Sequence, residues 1–290
     1  MKKENRARLM IISAMAVFGT LAPFVRNISV TSGELALYRA ILAAGLIGVF
    51  LGVTGQKIPV KKLGRDLVLL LLSGVAMGFN WILLFEAYKY TTVSVATLSY
   101  YFAPVIVTVV SPVLFREKLT VKQILCFVMS TVGIVMITGV GETSGVSDYI
   151  GIAFGLSAAV LYATVVLLNK FIKQVAGIHR TFLQFLAAIA VLVPYVLFTS
   201  GVTVGAMNGT GWACLLIVGL VHTGISYCMY FSALRDIPGQ EAAILSYVDP
   251  LVAVLISVTV LGEIMNFWQA LGGVLILGFT LWNELPEKKK

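Results

Sequence analysis

The sequence is short of charge. Only 12% of its 290 residues are Asp, Glu, Lys or Arg, while 59% are hydrophobic. Soluble domains carry about 25% charged residues, so a water-exposed globular fold is excluded. The three cysteines, Cys126, Cys214 and Cys228, lie inside apolar stretches without paired spacing; they set no disulfide pattern and suggest no metal site. Aspartate is scarce, with only Asp66, Asp148, Asp236 and Asp249, and there is no DxxxD cluster, HExxH or GxxxxGK[ST]. The signature of an ATP-driven pump is therefore missing, catalysis is disfavoured, and no cofactor is implied. No polar segment is long enough to form a soluble domain.

What the chain has is ten apolar runs, at residues 9–26, 34–54, 66–87, 93–115, 121–139, 149–170, 180–200, 210–232, 241–261 and 266–283. A bilayer core about 30 Å thick is crossed by about 20 helical residues. The expectation is an all-α membrane protein of ten transmembrane helices. The first run follows a basic stretch but is too long for a signal peptide and reads as an uncleaved span. The net charge of +8 is not a nucleic-acid signal. With the N-terminus in the cytoplasm, 18 of the 21 basic residues fall on cytoplasmic pieces, leaving Arg26, Arg39 and Lys89 elsewhere. The positive-inside rule then puts both termini in the cytoplasm of a multi-pass cell-membrane protein, in a bacterium the inner membrane.

The chain repeats itself. Tyr101, Pro104, Glu117 and Gln123 recur as Tyr247, Pro250, Glu263 and Gln269 at a constant offset of 146. Gly78 matches Gly224, Phe85 matches Phe231, and Ala96 matches Ala242 at the same offset. A weaker match pairs Arg39 with Arg180 at a different offset. The units are residues 1–140 (spans 1–5) and 141–290 (spans 6–10). Five is odd, so the second copy enters the membrane upside-down. Such inverted five-helix repeats recur in secondary transporters, because similar halves can open one site to alternate sides.

The motif pair, together with Phe18-Gly19 in span 1 and Tyr38-Arg39-Ala40 opening span 2, resembles the EamA-type family of the drug/metabolite transporter superfamily. Where many members have a tryptophan before the span 1 glycine, this chain has Phe18. The resemblance covers essentially the whole chain. It implies a basket-like bundle with a central cavity lined by spans 1, 3, 4, 6, 8 and 9, and movement of small metabolites, often amino acids.

Pro104 and Pro250 fall near mid-span in equivalent places. Each deletes a helical hydrogen bond, so both are expected to act as hinges. Asp249 precedes the second, and an acid at that depth is costly. Ala242, Ser246, Asp249, Ala253 and Ser257 share one small, weakly polar face, which turns Asp249 into the bundle. It could take up a proton or pair with a substrate amine. His222 in span 8 is the second candidate for proton coupling, since histidine titrates near neutral pH. Asn80, Trp81, Tyr100, Tyr101, Tyr162, Ser226, Tyr227, Tyr230, Ser246 and Tyr247 are the candidate substrate contacts. Aromatic faces and amides suit a small zwitterion or cation. Arg39 and Glu86, both read as near the outer ends of their spans, could pair as a gate or form a rim salt bridge.

The expectation is a secondary transporter of a small metabolite, amino acid or amine, working by alternating access. Export by proton antiport or facilitated diffusion comes first. The alternatives are a lipid or amphipath flippase of the same fold, or an integral membrane enzyme. Expected partners are a small-molecule substrate and membrane lipid, with no nucleic acid, as a monomer or homodimer.

Overall fold

The computed structural model describes residues 3–58, 63–64, 66–115, 120–137, 146–175, 177–234, 236–237 and 239–285. Among these, every regular element is helical. The elements are α1 (Lys3–Gly19), α2 (Leu21–Arg26), α3 (Ser32–Val53), α4 (Asp66–Tyr90), α5 (Val93–Tyr100), α6 (Ala103–Phe115), α7 (Val121–Ile137), α8 (Val146–Phe171), α9 (Gly177–Thr199), α10 (Gly209–Leu216), α11 (Ser226–Ala233), α12 (Gly239–Leu245), α13 (Val248–Thr259) and α14 (Phe267–Glu284). A π-helical stretch, Ile217–Ile225, joins α10 to α11. Seven continuous or near-continuous helices are long and apolar enough to cross a membrane. The helices at Val121–Ile137, Val248–Thr259 and Phe267–Asn283 are shorter.

Three spans are interrupted, and the breaks share a cause. Span 1 breaks at Thr20, span 4 at Tyr101–Phe102 and span 9 at Ser246–Tyr247. Pro23, Pro104 and Pro250 follow Thr20, Tyr101 and Tyr247 by three residues. A proline lacks the N–H and pushes on the carbonyl four residues back. The preceding helix accordingly ends at Gly19, Tyr100 and Leu245. In span 9 the freed Ser246 carbonyl accepts from Asp249 N at 3.2 Å.

The repeat offset is visible in the packing. A Cβ on Gly78 would lie 3.3 Å from Leu192, and one on Gly224 would lie 3.2 Å from Leu46. Adding 146 to 46 and 78 gives 192 and 224, so one contact occurs twice with the partners exchanged. Spans 5 and 10 do the same. The backbones cross at Gly133 and Gly272, and Cys126 Sγ donates to the Phe279 carbonyl at 2.9 Å. The shift of 146 carries 126 to 272 and 133 to 279. It also makes Phe185 the counterpart of Arg39, and Glu34 the counterpart of Arg180. The Arg39–Arg180 match at its own offset is therefore not a structural equivalence.

The repeated glutamines have a local role. Gln269 and Asn266 exchange side-chain-to-backbone hydrogen bonds of 2.8 and 3.1 Å at the start of α14. Gln123 and Thr120 do so at α7, at 2.8 and 3.2 Å. Both are capping boxes that satisfy orphan N–H groups. Glu263 caps a neighbouring helix: it accepts from Val93 N at 2.8 Å and from the Ser257 hydroxyl, and pairs with Arg26. Its repeat mate Glu117 lies outside the described residues. Glu34, fully buried, accepts from Thr203 N at 2.6 Å and from the Thr203 hydroxyl, tying α3 to the connection after α9.

Span 1 is fastened to span 9 at three levels. Arg8 Nε meets Glu241 at 2.5 Å at one end, and Arg26 meets Glu263 at the other. Between them, Gly19 sits so close that a Cβ would lie 2.6 Å from the Asp249 carbonyl oxygen.

Candidate functional site

A cavity of about 470 Å³ lies at the centre of the bundle. Its walls come from spans 1, 3, 4, 6, 8 and 9, with Arg39 of span 2 and a face of span 7. Its lining is rich in aromatic rings. Tyr100 packs against Tyr162 with ring centroids 5.4 Å apart, Phe18 against Tyr227 at 5.3 Å, and Tyr230 against Phe231 at 5.2 Å. Rings in contact hold one another in place, so the chamber is shaped before anything enters it. Apart from tyrosines, the ionisable groups on its walls are Arg39, Arg180 and Asp249.

Of the substrate contacts expected from sequence, Trp81, Tyr100, Tyr101, Tyr162, Tyr227, Tyr230, Ser246 and Tyr247 line this cavity. Asn80 and Ser226 do not. Successive helical residues point about 100° apart, so Asn80 and Trp81 look in different directions. Trp81 faces the chamber; Asn80 turns to α8 and donates to the Ala158 carbonyl at 2.6 Å. Likewise Tyr227 faces in, while the Ser226 hydroxyl donates back to the Val221 carbonyl at 3.0 Å. The pairs Tyr100–Tyr101 and Ser246–Tyr247, each at a helix break, both line the cavity.

Asp249 is on the wall, and Tyr101 donates its phenolic hydrogen to Asp249 Oδ2 at 2.5 Å. The bond joins the two interrupted spans at their breaks. Pro104 lines the cavity, whereas Pro250 is buried behind it.

One expectation is corrected, and one candidate lies off the wall. Arg39 and Glu86 do not pair. Glu86 binds Lys89 at 2.9 Å, one turn along its own helix at the rim. Arg39 lies seven residues into α3, about 10 Å below its start, and is only 4% exposed. His222 is not on the cavity wall. Its Nε2 is 3.1 Å from the Thr20 hydroxyl, and its ring stacks at a tilt on Phe24 with centroids 4.9 Å apart. These surroundings fit packing of span 8 on span 1. His222→Ala is expected to leave solute exchange and its pH profile within about twofold of wild type, while lowering the melting temperature. A pH profile altered in His222→Ala alone would restore the relay.

The sequence reading missed Tyr88, Thr97 and Gln184, all on the wall. A signal existed: Met77, Trp81, Leu84 and Tyr88 recur at spacings of four, three and four, one helical face. Gln184 is pinned, donating to Ser73 Oγ at 2.6 Å and Asn169 Oδ1 at 2.7 Å. Arg180 donates to the Asn169 carbonyl at 3.1 Å. Tyr88 also borders a shallower pocket of about 280 Å³ beside Arg26, Asp148 and Glu263, so it stands between that rim and the central chamber. Among the described residues no group of three His, Cys, Asp or Glu could hold a metal ion.

Residues 5–139 and again 149–283 match the profile of the EamA-like transporter family. Bacillus subtilis (strain 168) has a protein named as an uncharacterized transporter, YxxF, that is 28% identical over 277 residues, covering 95% of this chain and 88% of that one. An uncharacterized transporter of Archaeoglobus fulgidus is 29% identical over 282 residues, covering 94% and 95%. A solved crystal structure shares the fold with a TM-score of 0.67, at 17% identity, over 94% of this chain and 95% of that chain.

Proposed function

The chain belongs to the EamA-like transporter family, and from that premise we propose that it is a secondary carrier moving a small metabolite or amino acid by alternating access. Ten crossings form two inverted five-helix halves, with both termini in the cytoplasm of a cell-membrane protein. The observation that carries this reading is the Tyr101–Asp249 bond, which ties the broken spans 4 and 9 across an aromatic chamber. Broken helices at mid-membrane leave polar backbone groups that must face protein or a wet cavity, and they bend more easily than continuous ones. When the spans flex, the bond opens, and Asp249 becomes free to exchange a proton. The rim clamp Arg26–Glu263–Val93 then closes or releases one mouth of the chamber.

The test is counterflow in proteoliposomes loaded with unlabelled amino acids, organic acids and amines, using labelled solutes of each class. The expected result is exchange of at least one class by protein-containing vesicles and none by empty ones. Absence of exchange for every class, with scrambling of labelled lipid instead, would replace the carrier with a flippase.

A further inference from the structure

Arg39 is a buried cation facing the chamber with no anion in contact. Its Nε donates to Thr223 Oγ1 at 2.7 Å. Among the described residues its two Nη nitrogens have no hydrogen-bond partner, and no carboxylate lies within ion-pair distance. Asp249, the one carboxylate on the same wall, is occupied by Tyr101.

The guanidinium is nonetheless carefully held. It lies over the Trp81 ring at 4.8 Å and the Phe85 ring at 5.7 Å, contacts that suit a flat cation. Thr223 is oriented to receive it, because its own hydroxyl hydrogen goes to the Val218 carbonyl at 2.8 Å. That carbonyl is five residues back, a reach supplied by the π-helical turn of span 8. π-turns of this kind are rare and cluster at functional sites. The second repeat has Phe185 in the matching place, so the arrangement belongs to one side of the chamber only.

A buried charge with no counter-ion in contact is costly, and the fork of donors left open matches a carboxylate in two parallel hydrogen bonds. We propose that Arg39 anchors a carboxylate of the cargo, which makes the cargo a small organic acid with an apolar, ring-sized body. Trp81, Tyr100 and Tyr227 supply the surface for that body. With Arg39 and Arg180 against Asp249, the chamber has one positive charge in excess before the cargo arrives, and a carboxylate neutralises it. The proposal rests on the carrier reading, and narrows its substrate class.

The experiment uses three probes of nearly equal shape: phenylacetate, 2-phenylethanol and phenethylamine. Thermal shift of the full chain in detergent is read for each at constant ionic strength, since a ligand stabilises the state it binds. Phenylacetate is expected to raise the melting temperature, and the alcohol and the amine to leave it unchanged. In Arg39→Gln the half-saturating phenylacetate concentration should rise at least roughly tenfold, with Arg39→Lys between the two. A response to the amine in place of the acid, no response to the acid in wild type, or an unchanged half-saturation in Arg39→Gln would each overturn the assignment. Should Arg39→Gln fail to give monodisperse protein, the three-probe comparison on wild type decides. Counterflow of amines or neutral solutes would leave the carrier standing while this inference falls.

Discussion

Gly19→Ala is expected to reduce solute exchange at least tenfold and to lower the melting temperature in detergent. A Cβ at this position would lie 2.6 Å from the Asp249 carbonyl oxygen and 2.6 Å from Val252 Cβ. Rotating the valine side chain moves only its Cγ atoms, so neither its Cβ nor the backbone oxygen can give way without a backbone shift. The crossing of span 1 over span 9 must therefore open by several tenths of an ångström, and overpacking of this kind costs about 1–3 kcal/mol. The displaced residue is Asp249 itself, so the Tyr101 bond is stretched with the crossing. Gly52→Ala is the control. It sits in the same kind of helix with nothing within 4 Å of its added Cβ, and alanine is the better helix former. If the two variants exchange solute at the same rate, close contact of spans 1 and 9 has no bearing on transport.

Asp249→Asn is expected to separate exchange from its driving force. Asparagine keeps the size and can still accept the Tyr101 hydroxyl hydrogen through its amide oxygen. It cannot carry a proton across. Counterflow, which needs only a working chamber, should survive within a few-fold, while flux driven by a pH gradient should fall to the level seen without one. Asp249→Ala should do worse on both counts, because it leaves the Tyr101 hydroxyl without its partner at a cost of about 1–3 kcal/mol. Equal gradient-driven flux in wild type and Asp249→Asn would remove the carboxylate from energy coupling. Loss of both activities in Asp249→Asn, with normal folding, would make it a binding group instead.

The membrane character and the repeat were legible in the residues themselves, because the length of an apolar run and a constant offset can both be counted along the chain. Gln123 and Gln269 could be paired by counting, and both turn out to close capping boxes. The helix breaks were half legible. Pro104 and Pro250 pointed to span 4 and span 9, yet Pro23 obeys the same rule in span 1 and Pro112 and Pro194 lie within helices that continue through them. A proline states where a helix is weak; neighbouring helices decide whether it parts there. Depth was the harder quantity. Arg39 was placed near a rim because sequence position along a span says nothing about what covers it, and the cover comes from Trp81, Phe85 and Thr223 on two other helices. His222 shows the same gap. The spacing of residues along span 8 did not show that Thr20 and Phe24 of span 1 would lie against its ring.

The exchanged contacts between Gly78 and Leu192 and between Gly224 and Leu46 have a consequence for how charge can be distributed. Two separate, identical halves joined this way would bring every residue into the chamber in duplicate. An aspartate at the place of Asp249 would face its own twin, and two carboxylates so confined could not both stay ionised. One continuous chain removes that constraint. It allows Ala103 where the other half has Asp249, Ala76 where it has His222, and Phe185 where the first half has Arg39. Covalent linkage of the halves is thus what lets a nearly symmetric shell hold an electrically lopsided interior.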